Sequence, residues 1–109
     1  MDFAQVVLNT VRKVPKGKIT TYKLLAKACN KPKASRSVGR ALNKNKCSFF
    51  ENIAKNKMIP CHRVIYSNGR IGGFSKGVEK KIVLLEKEGV LVQNGRVLEF
   101  SERLYEFKD

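Results

Sequence analysis

At 109 residues and 12.3 kDa, the chain has room for one domain and one core. Lys and Arg number 23 against 9 Asp and Glu, a formal charge of +14, with a pI near 10.1. The 42% hydrophobic content excludes a disordered basic tail, and no apolar run approaches the ~18–20 residues of a membrane span.

A compact domain with this surplus collects polyanions, and nucleic acid is the default polyanion of a cell. The start, Met1-Asp2-Phe3-Ala4-Gln5, has no basic n-region or apolar h-region, so secretion is not expected. Cys29, Cys47 and Cys61 are odd in number and widely spaced, which fits no disulfide framework. No C-x-x-C occurs, and the one histidine, His62, adjoins Cys61, so a spaced zinc set is not available. Reduced thiols in a cytoplasmic (or, in a eukaryote, nuclear) compartment are the expectation.

Along the chain, Phe3, Val6, Val7 and Val11 predict a helix over 2–13, with Asp2 as N-cap and Pro15 as its limit. A turn at 15–18 leads into extended Ile19-Thr20. Thr21 is placed to cap a second helix over 22–29, with Leu24, Leu25 and Cys29 as its stripe. Asn30-Lys31-Pro32 breaks it. A third helix is expected over about 33–44, with Val38, Ala41 and Leu42 inward. Two short helices across a tight turn read as a helix-turn-helix. The second exposes Lys33, Arg36, Arg40 and Lys44, while Ala34, Ser35, Ser37 and Gly39 keep it slim enough to approach a groove closely.

Residues 46–57 offer Phe49, Phe50 and Ile53 for one helical turn or a packed loop. A glycine-rich segment, 68–74, precedes a last long helix over 76–88, with Val78, Ile82 and Leu85 inward and Gly89 ending it. Val90–Val92 and Arg96–Leu98, flanking Gln93-Asn94-Gly95, predict a hairpin. The expected fold is therefore mostly α and winged-helix-like: a helix-turn-helix plus a small C-terminal β-hairpin, in a single domain over 1–109.

Ile59-Pro60-Cys61-His62-Arg63-Val64 is the most specific string in the chain. A nucleophilic cysteine needs an imidazole, a cation or a helix N-terminus to reach its thiolate, and here the only histidine and an arginine come directly after it. Taken alone, a single cysteine is more often a small buried apolar residue.

Pro60-Cys61-His62-Arg63-Val64 resembles the active-site motif of the O6-alkylguanine-DNA alkyltransferases, or methylated-DNA–protein-cysteine methyltransferases. Other segments match in the right order. Gly17–Tyr22 with Leu24-Leu25-Ala26 after it resembles the approach to the family's helix-turn-helix, and Arg36–Leu42 its recognition helix. Gly72–Gly77 resembles its substrate loop, and Leu84–Gly89 its closing helix. The matches run over about residues 3–92.

The resemblance implies a role for each matching residue. Cys61 is the alkyl acceptor. His62 draws off its proton through a water, with Glu88 orienting the imidazole, the nucleophile-base-orienter logic of a triad. Tyr22 protonates the departing guanine. Arg36 enters the stack where the damaged nucleotide is flipped out, because a buried cysteine is beyond reach of a base inside the duplex. Lys33, Ala34, Ser35, Ser37 and Arg40 would face the minor groove. Phe74 and Ser75 line the pocket, the Val64 backbone contacts the base, and Asn45 ties the recognition helix to the active turn. The implied partner is double-stranded DNA carrying O6-alkylguanine, bound by a monomer with no cofactor, no metal and no membrane.

The chain departs from the family in three places. The family's usual N-terminal domain has no counterpart before the first helix. The stretch from Asn45 to Cys61 is longer than usual, which makes Asn56 a second candidate for the Asn45 role. Phe74 stands where many members have tyrosine. The resemblance implies direct, stoichiometric and irreversible transfer to Cys61. The runner-up is a non-enzymatic sensor, since short alkyltransferase-like proteins bind alkylated guanine with the cysteine replaced. A plain helix-turn-helix regulator leaves the Cys61-His62 segment unexplained.

Overall fold

In a computed structural model of the chain, which describes residues 3–43, 60–72 and 78–107, the first helix α1 spans Phe3–Val11. Its buried face is Val7, Thr10 and Val11. The Thr10 hydroxyl is satisfied within the helix by donating to the Val6 carbonyl at 2.7 Å. Past Val14, Pro15 ends the helix and a turn closes from Lys18 N–H to the Pro15 carbonyl. Gly17 stands there at φ +88°, the left-handed region that favours glycine.

Strand β1 is only Thr20–Thr21, yet it decides the architecture. It pairs in parallel with β2 (Val64–Ile65), in the register Thr20↔Val64 and Thr21↔Ile65. All four residues are buried, as parallel strands covered on both faces should be. Neighbouring β2 residues point to opposite sides. Val64 enters one core with Val7, Val11, Leu25, Val38 and Leu42. Ile65 enters the other with Ile19, Ile71, Leu85, Val90 and Val97.

Helix α2 (Tyr22–Ala28) continues from β1 without a linker. Thr21 caps it as expected, its hydroxyl accepting the Leu24 N–H at 3.0 Å. Its end is a Schellman turn: Asn30, at φ 63°, donates to the Lys27 carbonyl and Lys31 to the Ala26 carbonyl. Leu25, Ala26 and Cys29 form the buried stripe, while Leu24 is only half-buried. Helix α3 (Ser35–Asn43) starts later than the predicted residue 33, because Pro32-Lys33 form a turn that Ala34 N–H closes onto the Lys31 carbonyl. Val38, Ala41 and Leu42 point inward as expected. The helix-turn-helix stands.

Cys61–Arg63 form a single 3-10 turn, leading into β2. Helix α4 (Val78–Lys87) corrects the predicted stripe: Val78 is 43% exposed, and the buried face is Lys81, Leu84 and Leu85, with Ile82 packed at its edge. A second Schellman turn ends it. Gly89, at φ +86°, donates to the Glu86 carbonyl, and Val90 donates to the Leu85 carbonyl. The hairpin is present as β3 (Val92–Gln93) and β4 (Arg96–Val97), its turn narrowed to Asn94-Gly95 because Gln93 pairs with Arg96. Beyond the hairpin lies a segment that no sequence pattern marked. Helix α5 (Phe100–Arg103) returns the chain to Ile19, whose N–H donates to the Arg103 carbonyl and whose carbonyl accepts from Tyr105. Tyr105 and Phe107, ring edge to face at 5.1 Å, then cover the first core. The expected turn or loop over 46–57 lies outside the described residues.

Leu25 is wholly buried in that core. Leu25→Ala should cost roughly 2–5 kcal/mol, read as a lower urea midpoint with unchanged m-value.

Candidate functional site

In the parallel ladder Tyr22 follows Thr21 and stands beside Tyr66, within electrostatic reach of Cys61 on the turn before β2. Cys61 is 5% exposed, its Sγ 3.9 Å from the Leu42 carbonyl at the end of α3. Three elements therefore converge on the sulfur.

Glu88 is the residue at which the Schellman turn closes α4, so backbone geometry aims its side chain inward. Arg63 grips that carboxylate with both arms of its fork, Nε to Oε1 at 2.9 Å and Nη2 to Oε2 at 2.5 Å. Its remaining nitrogen, Nη1, donates to the Val14 carbonyl at 2.9 Å. His62 Nε2 lies 3.1 Å from the same Oε2. Burial alone would raise the Glu88 carboxyl, but hydrogen bonds from Arg63 and His62 outweigh it and hold the group at about 2. The His62 imidazole moves down from 6.5, chiefly through burial, with Arg63 and Lys81 adding to the effect and Glu88 opposing it. The ring is accordingly neutral at neutral pH, the form that a base requires.

Tyr22 is pushed up to about 12 by burial first, then by Tyr66 and Cys61. Its phenol keeps its proton throughout the physiological range and is a donor. Above its ring, 5.9 Å from the centroid, stands the ammonium of Lys81. This lysine is wholly buried, and its Nζ donates to the Val64 carbonyl at 2.7 Å. Burial lowers it to about 7, with Cys61 pulling the other way. Sequence reasoning misses Lys81 because Lys80-Lys81 look like a solvated pair. The available signal is its i, i+3, i+4 spacing with Leu84 and Leu85.

Other expected residues divide. Ser35 and Arg36 share a cavity of about 480 Å³ with Tyr22, Gly39 and Tyr66. Ser37 and Arg40 instead flank a smaller hollow of about 170 Å³ beside Phe3 and Ala4. Lys33 and Ala34 precede α3 rather than lying on it. Val64 is wholly buried, and its carbonyl already receives Lys81. Lys44, Asn45, Asn56, Phe74 and Ser75 lie outside the described residues.

Glu88→Gln removes the counter-charge of a buried guanidinium, and should destabilise the fold by roughly 3–5 kcal/mol in urea denaturation. The pH dependence has a definite sign. Glu88 and His62 both have folded values below their ordinary 4.5 and 6.5. The unfolded chain therefore binds protons that the folded chain resists. The share of the stability that these two groups supply should be full above 6.5 and fall steadily as pH drops, with the Glu88 share lost between 4.5 and about 2. Urea midpoints across that range check it.

Known proteins share this fold. Residues 2–90 match the model of the 6-O-methylguanine DNA methyltransferase DNA-binding domain. A methylated-DNA–protein-cysteine methyltransferase of Methanosarcina acetivorans is 39% identical over 88 residues, which is 81% of this chain and 51% of that protein. Mycobacterium tuberculosis OGT in complex with DNA superimposes with a TM-score of 0.69 at 35% identity, over 82% of this chain and 49% of that one. S. pombe Atl1, in complex with damaged DNA containing O6-carboxymethylguanine, gives 0.77 at 29% identity, over 96% and 95%. The chain spans about half the length of the methyltransferases it matches. With residues 2–90 accounted for by that domain, the chain belongs to the 6-O-methylguanine DNA methyltransferase family.

Proposed function

We propose that this chain repairs O6-alkylguanine in double-stranded DNA by moving the alkyl group to Cys61, once per molecule. The observation that carries the reading is the convergence of a buried thiol, a neutral imidazole held at a carboxylate and a protonated phenol around one short ladder. His62 takes the Cys61 proton through a water. The sulfur then forms a bond to the alkyl carbon as the carbon–O6 bond breaks, and guanine leaves with a proton from Tyr22. The thioether is stable, so turnover ends there. Nothing in these steps calls for a metal or cofactor.

Delivery of the base falls to α3. Arg36 is exposed at the mouth of the larger cavity, where it would replace a flipped nucleotide in the stack. Ser35 and Gly39 keep that side of the helix low, as a minor-groove approach requires. DNA complexes of two structural neighbours, Atl1 and OGT, support DNA as the partner.

A second reading has its own support. The match to Atl1 runs nearly end to end in both chains, whereas the methyltransferases match over about half their length. That favours a binder that marks the lesion without removing the alkyl group. Cys61 favours transfer, because a thiol is what the reaction consumes.

Incubation with a duplex carrying labelled O6-methylguanine should move the label to protein and saturate near one equivalent. Tight binding without labelled protein would establish the binder instead. Cys61→Ala should abolish transfer; retained transfer would remove Cys61 as the acceptor. Affinity for undamaged duplex should fall steeply with salt, and Arg36→Ala should weaken lesion binding beyond that shared electrostatic loss.

A further inference from the structure

Tyr66 comes directly after β2 and belongs to none of the groups that the transfer chemistry uses. It is 49% exposed, and it lines the larger cavity together with Arg36. Its backbone is fixed: its N–H donates to the Arg70 carbonyl, and its carbonyl accepts from Gly69. The ring is fixed as well. It lies 5.3 Å from the Tyr22 ring at 47°, and it rests on Gly72, where a Cβ would come within 2.9 Å of the ring carbon Cε2. Gly72, at φ +69°, supplies both the turn and the bare surface.

A large aromatic ring immobilised on two sides, with about half of its surface open to a cavity, has been oriented before any ligand arrives. The cavity combines two aromatic walls, Tyr22 and Tyr66, with a cation at Lys23, while Arg36 at its mouth is left to fill the stack. A planar base attached to a phosphate matches that combination: the base takes the rings and the phosphate takes the Lys23 ammonium.

We infer that Tyr66 is a positioning residue on which the extrahelical alkylated base stacks, and that it sets how strongly the chain prefers damaged to undamaged duplex. The inference rests on the proposed recognition of a flipped O6-alkylguanine. Tyr22 alone presents its donor hydroxyl to the departing base; Tyr66 holds the base plane so that the O6 substituent faces Cys61. The Tyr66 hydroxyl has no part in this. Only the face of the ring does.

The test is the ratio of affinities for two duplexes, one with a single O6-methylguanine and one with guanine at the same place. It is measured in the Cys61→Ser chain, which does not consume the lesion. Tyr66→Ala should lower the ratio about tenfold or more, the size of one lost base–aromatic stack. Tyr66→Phe should keep it within about twofold, since the ring face is retained. Thermal melting should place both variants close to the parent, as the ring is half-exposed.

An unchanged ratio in Tyr66→Ala overturns the inference and leaves lesion recognition standing. A loss in Tyr66→Phe equal to that in Tyr66→Ala also overturns it, because the hydroxyl would then be the contact. Equal affinity for both duplexes with Tyr66 intact overturns the recognition reading and the inference with it.

Discussion

One guanidinium holds the site together. Arg63 reaches Glu88 with two nitrogens and the Val14 carbonyl with the third, joining the end of α1, the turn after Cys61 and the end of α4. A bidentate, charge-assisted pair with both side chains nearly excluded from water fixes direction as well as distance. His62 takes its position from the same carboxylate oxygen. A pair of this kind adds little to stability over an apolar replacement, but losing one partner leaves the other buried and charged. Its value here is orientation, because the carboxylate that Arg63 fixes is the one that meets the imidazole.

The two cores meet at the β1–β2 ladder, and that junction explains why the buried cation is tolerable. Lys81 rises from the α4 side to the Val64 carbonyl and the face of Tyr22. A wholly buried ammonium gives up its hydration, which burial expresses as a value lowered to about 7. It therefore stands between charged and neutral forms at neutral pH, within electrostatic reach of Cys61. Such a residue is expensive to keep in a core and is more often found beside chemistry than away from it.

Much of this was legible from the chain itself. The Thr21 cap, the break at Asn30 and the stop at Gly89 were readable because each is a local backbone demand met by one residue type. The approach of Glu88 to His62 was legible only through family resemblance, since 26 positions separate them and periodicity carries no long-range register. The fork of Arg63 was hidden for the same reason. Val78 was placed inward because it is apolar, yet the longer Lys81 occupies the buried stripe, with its stem in the core and its head at a carbonyl. The return of residues 99–107 to Ile19 had no sequence signal, because a two-bond bridge needs neither alternation nor length.

Everything proposed for the chemistry depends on Glu88, fixed by Arg63, holding His62 as a neutral base beside the Cys61 thiol. His62 is the only histidine in the chain, so its ring carbon protons give a single titration by NMR. A midpoint below 6.5 is predicted in the native chain. A midpoint at or above 6.5 would mean that the carboxylate dominates over burial, that the ring is substantially charged near neutrality, and that it is not the base described.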